Sequence, residues 1–251
     1  MDSANPSTVP TTPPTAKPAS TQDAARTHRV AFIVMALIFI GAPLVGVYPV
    51  FMMKVMCFAL FACAFNLLLG YGGLLSFGHA MFLGSAGYVS AHAAKVWGLT
   101  PELAIAMGAL CAGALGWVAG KLAIRRQGIY FAMITLALAQ LVFFFSLQAP
   151  FTGGEDGIQA IPRGRFLGIV DLAPDMAMYW FVAAIFMIGF LLIHRIIHSP
   201  YGQVLKAIRE NEPRATSLGY RTDDYKLVAF ILSATLAGVA GGLKSLVFGI
   251  A

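Results

Sequence analysis

Long apolar blocks separated by short polar breaks recur along this chain, and seven of them approach the roughly 20 residues a helix needs to cross a bilayer. They fall at 30–47, 51–69, 74–94, 102–123, 129–149, 178–197 and 227–248. Tyr48-Pro49 marks the first reversal, Thr100-Pro101-Glu102 starts a helix, and Arg125-Arg126-Gln127-Gly128 closes one. The pattern predicts an all-α polytopic transmembrane helical bundle of about seven spans, occupying residues 30–251. Residues 1–29 are rich in Pro, Thr and Ser with almost no large apolar side chains, and are predicted to be a disordered cytoplasmic tail. That tail lacks the basic start and immediate apolar run of a cleaved signal, so the first span is expected to stay in the mature protein.

Composition agrees with this pattern. The chain is 59% hydrophobic and 11% charged, against roughly a quarter charged in a soluble domain. Its net charge of +6 is not a nucleic-acid footprint, because Lys and Arg sit in the loops between spans. With the N-terminus inside, Arg26, Arg29, Lys121, Arg125, Arg126, Arg195, Lys206, Arg209, Arg214, Arg221 and Lys226 are cytoplasmic. Lys54, Lys95, Arg163 and Arg165 then flank the outer side, with Lys244 near the outer end of the last span. This asymmetry follows the positive-inside rule. Cys57, Cys63 and Cys111 lie in apolar stretches without metal-ligand spacing and read as packed thiols.

The segment 74–94 differs from the other spans. Gly72, Gly73, Gly78, Gly84 and Gly87 thin its surface and weaken its first turns. Small residues let helix backbones approach closely, so Gly78, Gly84 and Gly87 are candidates for close packing. A broken helix at membrane depth must be buried in protein or line a water-filled cavity. His79 has two readings, a structural imidazole bonded to a neighbouring group or an ionisable residue on a solute route. Thr135, Gln140, Ser146, Asn66, Ser233 and Thr235 are the other polar groups inside spans, explained by inter-helix hydrogen bonds or by a route. Ser76, His79, Thr135 and Gln140 are the candidate pathway residues.

Between the last two spans, the cytoplasmic loop 198–226 carries a polar stretch, 201–220, with helical signals. Val204, Leu205 and Ile208 share one face, while Lys206, Arg209 and Glu210 lie on others. Pro213 ends this helix, Asn211 or Glu212 can cap a second turn, and Gly219 can close that turn in a left-handed conformation. The alternative is an ordinary charged connector.

No Walker-type phosphate loop, His-Glu-x-x-His motif, nucleophile elbow or paired intramembrane carboxylates occur, so no catalytic residue, metal or cofactor is assigned. Four runs in order resemble the LivM-type permeases of branched-chain amino acid ABC importers. They are Gly73-Leu-Leu-Ser-Phe-Gly-His-Ala80, Gly128-Ile-Tyr-Phe-Ala-Met-Ile-Thr-Leu-Ala-Leu-Ala-Gln140, Thr152-Gly-Gly-Glu-Asp-Gly157 and Ala207-Ile-Arg-Glu-Asn-Glu-Pro-Arg-Ala-Thr-Ser-Leu-Gly219. The resemblance implies an inner-membrane permease that pairs with a second homologous permease, two cytoplasmic ATP-binding subunits and a periplasmic amino-acid-binding protein. It implies no enzyme activity in this chain, ATP hydrolysis falling to the partners. The loop would be a coupling helix docked on the ATPase. Its expected apolar anchors are Val204, Leu205, Ile208, Ala215 and Leu218, its rim Arg209, Glu210, Glu212 and Arg214, and its end Gly219. Related permeases serve urea or short amides. Family members continue beyond the last apolar span, so the chain is expected to be truncated at its C-terminus. Competing classes are a secondary transporter or channel for a small polar solute, and a membrane scaffold whose loop recruits a partner.

Overall fold

A computed structural model describes residues 47–251 except Gln127 and Ile169, together with scattered positions between Phe32 and Gly46. The chain divides into two units, 1–46 and 47–251. In the first, the described positions from Phe32 to Gly41 are helical. The predicted tail at 1–29 lies outside the described residues, as does much of the predicted span 30–47.

The second unit is a helical bundle. Helix α1, Pro49–Asn66, opens on a proline, whose missing N–H is unneeded in a first turn, and runs into a π-helical turn, Leu67–Tyr71. Then come α2, Ala80–Lys95, and α3, Pro101–Ala123, again opened by proline after the extended Thr100. Helix α4, Ile129–Gln148, follows Gly128 at φ 62°. Two short 3-10 turns, Pro150–Thr152 and Gly154–Asp156, lead to an antiparallel ribbon of β1, Arg165–Phe166, and β2, Val170–Asp171. Helix α5 is Asp175–Ile197, α6 is Pro200–Glu210, α7 is Glu212–Ser217 and α8 is Thr222–Phe248.

Among the described residues, five helices are long and apolar enough to cross a membrane: Pro49–Tyr71, Pro101–Ala123, Ile129–Gln148, Asp175–Ile197 and Thr222–Phe248. The predicted span 74–94 is not one continuous helix. Only Ala80–Lys95 is helical, and its 16 residues cover about 24 Å at about 1.5 Å each, short of a ~30 Å hydrocarbon layer. Residues 73–79 supply the rest without regular helix. Two glycines permit the path of that break. Gly73 sits at φ +66°, and a Cβ on Gly78 would collide with the carbonyl oxygen of Thr135 in α4.

Helix α8 is the axis of the bundle, packing on α3, α2 and α1. Glycines let its backbone come close to two of its neighbours. A Cβ on Gly238 would stand 2.5 Å from the Ala112 Cβ, and one on Gly241 would run into the Leu83 carbonyl. Lipid is as apolar as leucine, so such helices associate through close backbone packing and hydrogen bonds rather than hydrophobic burial. At the end away from α6, Lys95 Nζ donates to the Gln159 carbonyl at 2.7 Å, the Leu167 N–H donates to Glu102 Oε1 at 3.0 Å, and Gln159 pairs with Ile250.

Candidate functional site: the broken segment and the polar loop

His79 sits where the broken segment enters α2, buried among Phe61, Phe65, Phe82 and Phe230, with ring centres 5.3 to 6.4 Å away. Its Nε2 lies 3.0 Å from Ser233 Oγ on α8, and Ser233 donates its own proton to the Ala64 carbonyl on α1. The hydroxyl has one proton, so Nε2 carries the imidazole hydrogen and donates to Oγ. This chain of bonds ties α1, the broken segment and α8 together. The remaining imidazole nitrogen, Nδ1, and the buried Ser76 Oγ have no hydrogen-bond partner among the described residues. Thr135 Oγ1 turns back to the Ala132 carbonyl at 2.9 Å.

A cleft of about 320 Å³ opens between α2 and α4. Its wall is apolar around Phe77, Met81, Leu136 and Phe143, with Ser85, Tyr88, Gln140 and Ser146 as its polar groups. Of the four candidate pathway residues, Gln140 lines this cleft, whereas Ser76, His79 and Thr135 are buried outside its lining. Gly84 also lines it, and a Cβ there would meet nothing within 4 Å, so the close approach expected at Gly84 is not made among the described residues. A Cβ on Gly87 would rest at 3.6 Å from the Gly241 carbonyl, an ordinary contact. Gly78, against Thr135, is the tight one of the three.

The polar loop is two capped helices. Ser199 Oγ accepts from the Gly202 N–H at 3.4 Å and Pro200 opens α6; Asn211 Oδ1 accepts from the Arg214 N–H at 3.0 Å and caps α7. Gly219 closes α7 at φ +90°, its N–H donating to the Thr216 carbonyl at 2.9 Å. The Asn211 cap and the left-handed closure follow the sequence signals; the Ser199 cap was not among them.

The two faces of the loop divide differently from the expectation. Leu205, Ile208 and Ala215, expected as anchors for a partner, are 0%, 2% and 4% exposed and pack onto the chain's own helices. An amphipathic period identifies a covered face without saying which body covers it. Of the residues expected on the rim, Glu212 turns inward to pair with the buried Lys226 at 2.5 Å, and Arg209, itself exposed, reaches across so that Nη1 donates to the Gly70 carbonyl. The outward surface is a hollow whose lining includes Val204, Ala207, Glu210, Arg214, Leu218 and Tyr220, with the buried Ala215 also reaching it and Leu218 70% exposed. Two inward contacts escaped the sequence pattern. Tyr201 donates to the Tyr225 carbonyl at 2.8 Å with the two rings stacked, and burial, with the Tyr225 ring beside it, pushes the Tyr201 phenol up, keeping it a neutral donor. Lys226 carried a legible signal, since a cation at the mouth of an apolar span needs a partner.

Membrane-length helices, a broken span at their core and a structured polar loop at one end define a multi-pass helical membrane protein. The chain belongs to the family of branched-chain amino acid transport system permease components, whose model matches residues 49–251. It is 28% identical to the high-affinity branched-chain amino acid transport system permease protein LivM of Escherichia coli K12, over 75% of this chain and 50% of that one. It is 24% identical to the LivH permease protein of the corresponding high-affinity system in Salmonella typhimurium, over 77% of this chain and 68% of that protein. A probable LivM permease protein of Methanocaldococcus jannaschii is 26% identical over 55% of this chain and 41% of its own length. The chain thus spans about half the length of the bacterial LivM relatives it matches. No solved structure matches it.

Proposed function

We propose that this chain is a permease subunit of an ABC importer that moves branched-chain amino acids across a bacterial inner membrane. It pairs with a second homologous permease, as relatives named separately LivM and LivH suggest, and takes solute from a periplasmic amino-acid-binding protein. Two cytoplasmic ATP-binding subunits supply the energy. The Lys and Arg asymmetry favours a cytoplasmic loop 198–226 and a cytoplasmic N-terminus. No nucleotide-binding motif is present in the chain, and its relatives are permease components rather than transporters that work alone, which disfavours a secondary transporter.

The observation that carries this reading is the outward hollow of α6 and α7. An apolar centre, the half-buried Val204 and the exposed Leu218, is rimmed by Glu210 and Arg214, the arrangement a groove on a soluble partner accepts. Its backbone is rigid because both helices are capped and their inner faces are fastened to the bundle, so a push on the hollow reaches the spans. In the membrane, the cleft between α2 and α4 suits a branched aliphatic side chain, with Gln140, Ser85 and Ser146 as polar partners for the amino-acid head. The test is uptake into proteoliposomes with and without the ATP-binding subunits. Leucine, isoleucine and valine should enter only with ATP and the complete set, and urea should not compete. Uptake without nucleotide, or urea as the preferred solute, contradicts the proposal.

A further inference from the structure

The C-terminal end of α1 has a hydrogen-bonding deficit that α6 relieves. A helix leaves its last carbonyls without internal donors, and that end carries partial negative charge. As the π-helical turn unwinds, the Leu68 carbonyl takes the Leu74 N–H and the Leu69 carbonyl takes the Gly73 N–H. The Gly70 carbonyl takes Arg209 Nη1, from 139 positions further along the chain. The arginine stem lies against Gly73, where a Cβ would stand 2.9 Å from Arg209 Cγ. One turn earlier on α6, Lys206 holds its ammonium 5.3 Å from the Tyr71 ring centre. Two cations on one side of α6 therefore grip the point where α1 gives way to the broken segment.

We propose that Arg209 is the positioning residue through which the loop moves the broken segment. The inference rests on reading the loop as the dock for an ATPase. The link ends on a backbone carbonyl, so displacement of α6 is delivered to the main chain and is not lost in side-chain rotation. Beyond it, residues 73–79 lack regular helical hydrogen bonds and contain Gly73 and Gly78, so the chain can turn there without melting a helix. At the far end of that hinge, His79 is bonded to Ser233, and α2 presents Gly84 and Ser85 to the cleft. With the start of α2 held on α8, a shift of α6 thus flexes residues 73–79 and displaces Phe77, which lines the cleft. Docking and transmission occupy opposite faces of the loop and are separable by mutation.

The experiment measures solute moved per ATP hydrolysed in proteoliposomes holding the chain, the second permease, the ATP-binding subunits and the binding protein. With Arg209→Ala, the ATP-binding subunits should still co-purify and hydrolyse ATP, while solute per ATP falls by about threefold, because the lost charged hydrogen bond is exposed to solvent. Arg209→Lys, which keeps the charge, should recover part of the ratio. Gly73→Ala displaces the stem while leaving the arginine in place, and it also strains the backbone at φ +66°, so it should repeat the loss at least in full; it carries the test if Arg209→Ala does not accumulate. A merely structural role would lower the amount of complex without changing the ratio. The proposal is overturned by a parental ratio in Arg209→Ala and Gly73→Ala, or by Arg209→Ala losing the ATP-binding subunits as an outward-face variant would. A parent complex without ATP-dependent uptake would instead sink the functional reading beneath it.

Discussion

Helices α8 and α4 are nearly equal in mean hydropathy, 1.8 and 2.0, yet 67% of the most apolar stretch of α8 is buried inside the protein and 17% of that of α4. The difference lies in side-chain size. Along α8, Gly238, Gly241 and Gly242 bring its backbone against α2 and α3, and Ser233 bonds both His79 and α1. Along α4, Phe143, Phe144 and Phe145 stand exposed in succession, and one narrow strip around Phe131 and Thr135 reaches the core. Hydropathy selects the membrane; the sizes of side chains select the neighbour within it. Helix α4 also borders the cleft, so the cleft is walled on one side by the least covered of the five membrane-length helices among the described residues.

The comparison is most severely tested at Gly241. Leucine there must drive its side chain into the Leu83 carbonyl, and backbone cannot yield as a side-chain tip can, so Gly241→Leu should cost about 3 kcal/mol or more and remove most assembled protein from detergent extracts. Gly84→Leu, facing open cleft, should leave assembly intact and reduce uptake by filling the cavity. Equal tolerance of both, by size-exclusion recovery and thermal unfolding, would end the claim that α8 is the packed axis.

A smaller effect is expected at Ser233. Alanine leaves the His79 Nε2–H without its acceptor in an aromatic box, costing about 2 kcal/mol. Ser233→Ala should therefore unfold at lower temperature than the parent, and His79→Gln, which keeps a donor, should lose less. An unchanged unfolding temperature would mean that the bond between the broken segment and α8 holds nothing.

The smallest effect belongs to α4. Phe144→Cys should change stability by less than about 0.5 kcal/mol in the chain alone. If the second permease covers this helix, the thiol should lose reactivity towards a lipid-soluble maleimide when that partner is co-expressed. Unaltered labelling would leave α4 facing lipid in the complex as well.

Local chemistry was legible in the sequence. The Asn211 cap, the helix opened at Pro101 and the left-handed Gly219 each depend on a few adjacent residues, and the structure places them as the signals require; Pro213, expected to end the first loop helix, instead sits in the first turn of the second. The weakness of the turns after Gly72 was legible for the same reason. What needed three dimensions was the choice of neighbour. Periodicity gave α6 an apolar face without revealing that the bundle itself covers Leu205 and Ile208, so Ile208→Asp would damage the fold before it tested any dock. Glycine density marked the segment 74–94 as thin, but only the path of α8 and α4 decides that Gly78 is crowded and Gly84 is free. The contact between Arg209 and Gly70 joins residues too distant for any local pattern.

The central claim is that an ATPase drives this permease through the outward face of the loop. The direct measurement is ATP-dependent leucine uptake by proteoliposomes containing the parent or Leu218→Asp, normalised to inserted chain, with co-purification of the ATP-binding subunits scored in parallel. Leu218 is solvent-facing, so aspartate there should leave folding and insertion unchanged while placing an unpaired charge in the docking groove. The account predicts that the variant inserts normally, loses the ATP-binding subunits and takes up leucine at background level. Parental uptake and parental co-purification with Leu218→Asp would contradict it, and the loop would be a connector between α5 and α8.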